Sequence, residues 1–250
     1  MPVLAVIPAR LGSTRLANKP LQLLAGEPLI LRVVQWVVRM GLADRVVVAT
    51  DAAKIADVVT EAGFEAVMTL AGHPSGTDRV AEVAGRSEFR GFDLVVNVQG
   101  DEPFLPAEAV DGAVARVRAG DDIGTASSPL DPGAAQDPAR VKVVTDLNGR
   151  ALYFSRAPIP YWRDGGPAPA GLYRQHLGVY AFGPGALARW SALRPTVLEE
   201  AERLEQLRAL EHGFRIGVAG LSQPALPGID TADDLCRAEA HWLATHKGSR

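Results

Sequence analysis

"RVVVATDAAKIADVVTEAGFEAVMT", residues 45–69, sets an apolar run, a helical stretch and a second apolar run end to end. Residues 45–50 are nearly all apolar, which fits a strand covered on both faces of a parallel sheet. Residues 52–62 follow at helical spacing and stop at Gly63, a residue suited to a left-handed helix cap. Residues 65–69 return to strand character. A strand, a helix and a strand in succession form the repeating unit of a parallel α/β sheet.

The same alternation extends in both directions. Residues 3–7 read as a strand, and residues 29–40 as a helix with Leu29, Val33, Trp36, Val37 and Met40 on one stripe. A helix from about Thr77, a strand over 94–98 and a helix over 107–119 follow. This predicts a doubly wound, mostly parallel core whose site lies beyond the carboxyl ends of the strands. The loops there are 8–20, 50–53, 70–78 and 99–106, and all four carry unusual polar residues. After about residue 122 the pattern changes. Residues 141–146 and 151–155 are β-rich and separated by "LNGR", whose Asn-Gly pair favours a tight hairpin turn. The Pro/Gly-rich loop "APIPYWRDGGPAPAG" (157–171) leads to a strand over 175–182. Helices are expected over about 197–212 and 231–246, with a strand over 214–219 between them. The chain reads as one α/β domain, 1–250, with an inserted β-rich lobe at about 123–183.

Composition narrows the classes of function. At 250 residues with 47% apolar and 22% charged content, the chain has ample core for a globular α/β protein. A net charge of -3 argues against a nucleic-acid coat. The single cysteine, Cys236, excludes an intramolecular disulfide and a cysteine-based zinc site. Its apolar-periodic surroundings predict a buried core thiol. No secretory leader is evident, and no run approaches the roughly 20 apolar residues of a membrane span. A cytoplasmic protein without membrane or nucleic-acid partners is expected.

Three stretches carry chemistry. The first, "IPARLGSTRLANKPL" (7–21), places Arg10, Arg15 and Lys19 beside Gly12, Ser13 and Thr14 just after the first strand. It is neither a Walker A loop nor a G-x-G-x-x-G fingerprint. Backbone N–H groups near Gly12, Ser13 and Thr14 with cations at Arg15 and Lys19 could cradle a polyphosphate; a solvated loop would look the same. The second, "VVNVQGDEP" (95–103), ends an apolar strand in Asn97, Gln99, Gly100, Asp101 and Glu102. Asp101 is placed for Mg²⁺, or Gly-Asp simply makes a turn. In the third, "GIDTADDL" (228–235), helix capping by Asp230 or Thr231 is the better account when the stretch is read alone. Together, a cationic loop and separated carboxylates suit metal-dependent nucleotidyl transfer. No metalloprotease, serine-triad or nucleophile-elbow pattern competes.

These blocks, with "VVVATD", "HPSGTDRVAEV", "VKVVTDLNGRALYFSRAPIP", "QHLGVYAF" and "LEEAERLEQLRALEHG", occur in an order that resembles the 3-deoxy-manno-octulosonate cytidylyltransferases, or CMP-Kdo synthetases. The likeness runs through nearly the whole chain. "YFSRAPIP" and "LEQLRALEHG" separate this group from the related sialic-acid enzymes. The resemblance implies a three-layer, nucleotide-diphospho-sugar transferase-like fold. It implies CMP transfer from CTP to Kdo with Mg²⁺, in a homodimer serving lipopolysaccharide-type sugar activation. Arg10, Ser13, Arg15 and Lys19 match the nucleotide loop, with Lys19 and Arg15 in catalytic positions. Ser75, Gly76, Thr77, Asp78 and Gln99 fall in blocks that surround cytidine. Asp101 and Asp230 match metal-binding, catalytic aspartates. Arg156, His176, Tyr180, Glu205 and Gln206 match the sugar-acid side, with Arg156 expected to grip the sugar carboxylate. Tyr161 and Trp162 mark a candidate dimer contact. Two other readings stand beside this one: CMP transfer to 8-amino-Kdo or a sialic acid, and a non-catalytic nucleotide-binding regulator. The chain departs from the usual pattern at Ala17-Asn18, where Pro-Gly precedes Lys-Pro. Asn tolerates a left-handed backbone, so the loop is expected to keep its shape.

Overall fold

A strand that is apolar at every position has no face to show to water, and residues from Val3 onward form one. β1 (Val3–Ala9) is buried along its whole length. The computed structural model describes residues 1–12, 15–183 and 185–245. Its contacts divide the chain into two units: Met1–Phe92 with Asn97–Phe104 and the chain from Pro227, and Asp93–Val96 with Leu105–Leu226. The architecture is mixed α/β with a mostly parallel central sheet.

In the first unit, the short hairpin β2 (Leu23–Leu24) and β3 (Glu27–Pro28) precedes helix α1 (Leu29–Met40). Leu29, Ile30, Val33 and Val34 of α1 are fully buried, and Gly41 ends the helix at φ 65°. Trp36 and Met40, expected on that stripe, are only half-buried. β4 (Arg45–Thr50), α2 (Ala53–Glu61) and β5 (Glu65–Met68) complete the strand–helix–strand unit. β1 pairs in parallel with β4, and β4 with β5. Gly63 takes the predicted left-handed conformation at φ 83°. α3 (Gly76–Gly85) follows, and β6 (Leu94–Val98) contributes Asn97 and Val98 to this unit. Val6, Ile7, Val33, Val47, Val48, Ile55, Val59 and Val80 are fully buried, each burial stabilising by about 1.5–3 kcal/mol.

The second unit adds α4 (Ala107–Arg118), β7 (Ile123–Leu130), β8 (Lys142–Thr145), β9 (Ala151–Ser155) and β10 (Tyr173–Phe182). β8 and β9 form the predicted hairpin, with Gly149 at φ 73° and the Asp146 carboxylate accepting from the backbone N–H groups of Asn148 and Arg150. β10 runs antiparallel to β7. After β10 come α5 (Ala186–Ser191), α6 (Val197–Glu202), α7 (Glu205–Glu211) and β11 (Ile216–Gly220), the last parallel to β7. Helix α8 (Ala232–Thr245) returns to the first unit.

Two expectations are corrected. The single helix over 197–212 is two helices, because Arg203 adopts a left-handed backbone (φ 53°) between them. Cys236 is exposed, not a core thiol; the buried position of α8 is Ala238. Among the described residues no helix is long and apolar enough to cross a membrane.

Candidate active site

The loop after β1 turns where Asn18 sits at φ 51°, ψ 36°, and a single 3-10 turn, Lys19–Leu21, follows. Asn is among the few residues that adopt this left-handed conformation without large strain, so Ala17-Asn18 keeps the turn. Lys19 leaves it with its ammonium 2.5 Å from Asp101 Oδ2 and 2.9 Å from Asp230 Oδ1. Arg15 Nη2 lies 3.0 Å from the same Asp230 oxygen. Burial lowers the Lys19 pKa, but the charges and hydrogen bonds of Asp101 and Asp230 outweigh it and hold the pKa above the usual lysine value. Lys19 is therefore a fixed cation. Arg10 is exposed just past β1. Ser13 and Thr14 lie outside the described residues.

Close backbone approach brings the second loop in. A Cβ on Gly100 would stand 2.8 Å from the Pro8 carbonyl oxygen, so only glycine lets the chain pass the end of β1 there. The Ile229 N–H donates to the Asp101 carbonyl at 2.9 Å, tying in the third loop. There Thr231 and Asp234 supply the cap of α8: each accepts from the other's backbone N–H, at 3.2 and 2.9 Å. Capping thus falls to Thr231 and leaves the Asp230 carboxylate to Lys19 and Arg15.

Ser75 is the N-cap of α3, accepting from the Asp78 N–H at 3.1 Å and donating to the Asp78 carboxylate at 2.8 Å. A Cβ on Gly76 would meet the Pro8 ring at 3.4 Å and Gln99 Oε1 at 3.9 Å, and Thr77 is buried. The structure therefore brings residues 75–78 and Gln99 to the end of β1. Beside them is a residue the sequence reading left unassigned: Asn97 is wholly buried, and its Nδ2 has no partner among the described residues. Its only signal was a polar side chain at the end of an apolar strand.

Among the described residues no three His, Cys, Asp or Glu side chains gather into a metal group. Asp101 and Asp230 converge on one cation, the Lys19 ammonium. Two carboxylates suit Mg²⁺, which takes one or two from protein and completes its shell with phosphate oxygens and water.

The sugar-side residues lie in the second unit. His176 and Tyr180 share β10 with ring centroids 5.3 Å apart, and Phe154 packs edge-on to His176 at 5.1 Å. Part of His176 remains accessible, yet enclosure of its ring pushes its pKa down to about 3. Thr125 donates its hydroxyl proton to the Val179 carbonyl at 2.7 Å. His176 must then donate from Nε2 to Thr125 at 2.8 Å, which leaves Nδ1 as an acceptor. Burial first, and then the Glu205 charge, raises the Tyr180 pKa and keeps its phenol protonated. Gln206 is 4% exposed. Arg156 differs from expectation in its partners: Nε, Nη1 and Nη2 donate to the carbonyls of Glu202, Pro138 and Arg203.

A sequence model of the cytidylyltransferase family matches residues 4–216. A 3-deoxy-manno-octulosonate cytidylyltransferase of Gemmatimonas aurantiaca is 55% identical over 98% of this chain and 96% of its own length. A solved CMP:2-keto-3-deoxy-manno-octonic acid synthetase, complexed with CTP, superposes with a TM-score of 0.88 at 34% identity, covering 98% of this chain and all of the other. A putative glucose-1-phosphate thymidylyltransferase of Bacillus anthracis superposes with a TM-score of 0.65 at 17% identity over 96% of this chain and 94% of its own, a likeness of fold alone. The chain belongs to the 3-deoxy-manno-octulosonate cytidylyltransferases, within the cytidylyltransferase family.

Proposed function

We propose that the protein transfers CMP from CTP to the anomeric hydroxyl of Kdo, giving CMP-Kdo and pyrophosphate. The observation that carries this reading is Lys19, which rises from a phosphate-type loop to hold carboxylates from two distant loops in a chain of this family. The anomeric oxygen attacks the α-phosphorus, the bond from that phosphorus to the bridging oxygen breaks, pyrophosphate leaves in line, and the hydroxyl proton is released. No covalent enzyme intermediate is needed. Catalysis rests on positioning and on charge held ready at the phosphates. Arg15 and Lys19 supply fixed positive charge there, assisted by Arg10 and by Ser13 of the same loop. Asp101 and Asp230 would hold Mg²⁺, which when bound offsets charge on the phosphate oxygens. Residues 75–78 and Gln99 face the cytidine. His176, Tyr180, Glu205 and Gln206 serve the acidic sugar. The buried amide side chain of Gln206 and the acceptor Nδ1 of His176 support that reading, since both suit sugar hydroxyls.

The finer assignments belong to the same reading: activation of a lipopolysaccharide-type sugar, in the cytoplasm, by a homodimer. The exposed ring of Tyr161, next to Trp162 in the 157–171 loop, supports a subunit contact there.

The test is pyrophosphate release with Mg²⁺ from CTP, UTP, ATP or GTP, each paired with Kdo, 8-amino-Kdo or N-acetylneuraminate. Release with CTP and Kdo alone is expected. Release only with another sugar would move the acceptor. No release from folded protein that binds CTP would favour a regulatory role.

A further inference from the structure

The run "VLEEAERLEQLRALE", residues 197–211, is made of strong helix formers and contains neither glycine nor proline. It nonetheless breaks after Glu202, with Arg203 at φ 53° and Leu204 as the cap of α7. Something outside the run must hold the break. A helix end leaves carbonyls without intrahelical partners, and Arg156 takes two of them, donating to Glu202 O at 2.7 Å and Arg203 O at 3.3 Å. The interaction is reciprocal. The Glu202 carboxylate accepts from Ser155 Oγ at 2.6 Å and from the Arg156 backbone N–H at 2.9 Å. The Arg156 carbonyl is fixed in turn by the wholly buried Lys142, whose ammonium lies 2.5 Å away. On the other side of the elbow, Arg208 grips Glu199 through two hydrogen bonds of 2.7 and 2.5 Å.

We propose that Arg156 and Glu202 form a brace that sets the α6–α7 elbow, and through it the placement of Glu205 and Gln206 toward the sugar substrate. Arg156 is then a positioning residue and not the partner of the sugar carboxylate; Glu202 joins it in that role. The proposal rests on the cytidylyltransferase reading above.

Arg156→Lys keeps the charge but loses the planar fork, and Glu202→Gln keeps the size but weakens the acceptors. Each is expected to raise the KM for Kdo about tenfold while kcat and the KM for CTP stay within about twofold. The double variant should be no worse than the weaker single, because both break one unit. The C1-carboxamide of Kdo, used as a competing ligand, should lose affinity in Arg156→Lys by the same factor as Kdo. The brace is overturned if Glu202→Gln has the wild-type KM for Kdo, or if the Arg156→Lys loss vanishes with the carboxamide. Should Arg156→Lys fail to fold, Glu202→Gln alone decides, read by hydrogen exchange at amides 204–207: faster exchange at unchanged Tm supports the brace and unchanged exchange removes it. If the wild type does not turn over Kdo and CTP, the functional reading fails, and exchange still tests the brace.

Discussion

Lys19 meets carboxylates that lie 82 and 211 residues away in sequence, and both ion pairs sit partly out of water. At such a site each charge counts for more than on an open surface, and removing one member leaves the others uncompensated. Asp101 is the nearer of the two acids, and its backbone is tied in through Gly100 at Pro8 and through Ile229. Substituting its side chain should therefore change charge without moving the loop. Asp101→Asn is expected to lower kcat by about two decades or more, the scale of losing a key transition-state electrostatic group, with Tm close to wild type. Activity near that of the wild type in a steady-state assay would remove Asp101 from the catalytic set. Arg15, more exposed and paired to Asp230 alone among the described residues, should have the weaker effect of the two loop cations on substitution.

At the scale of the element, the loop after β1 depends on one left-handed residue. Asn18 supports that backbone, so Asn18→Gly should leave the KM for CTP within about twofold. Asn18→Val puts a β-branched side chain at φ 51° and should cost about 1–3 kcal/mol of local strain. That strain should appear as a raised KM for CTP, measured beside Tm; an unchanged KM would show that the turn does not set the position of Lys19. The elements themselves were legible wherever apolar period and caps agreed: β4, α2 with Gly63 and the Asn-Gly hairpin all formed as read. β7 escaped notice because "IGTASSPL" is small and polar in pattern, yet it is buried almost throughout. Its Gly124 lies so close to Ala113 of α4 that a Cβ would collide with the Ala113 backbone, a packing demand that no local period reports. The break at Arg203 was invisible for a related reason. Its cause is Arg156, 47 residues away, while every local propensity favours one helix. In the candidate site, glycines and charges at strand ends gave away Lys19 and Asp101. Glu202 was hidden, since a glutamate among glutamates at helical spacing looks like a solvated face.

For the molecule as a whole, folding encloses most of a histidine in an aromatic setting, and this couples stability to pH. His176 titrates at about 3 when folded and near its ordinary value, about 6.5, when unfolded. As pH falls below about 6.5 the unfolded chain takes up this proton and the folded one does not. Stability from this group is therefore complete above about 6.5 and declines as pH drops toward 3, by at most about 1.4 kcal/mol per pH unit. Glu82 acts in a separate window. Burial raises its pKa, but hydrogen bonds from Arg86, His73 and the Leu70 N–H outweigh that and hold it down to about 2, so its contribution is lost only below the ordinary carboxylate range. Between pH 7 and 5, then, His176 can be read apart from Glu82. Urea unfolding midpoints should fall across that interval in the wild type, corresponding to a loss of up to about 2 kcal/mol. His176→Gln keeps a donor for Thr125 but cannot titrate, so its profile should be flatter over the same interval even if it starts lower. Parallel profiles for the two proteins would mean that the His176 ring reaches water freely enough to protonate in the folded state. In that case Nδ1 would not remain a neutral acceptor near pH 5, and KM for the sugar would rise there as the ring takes up its proton.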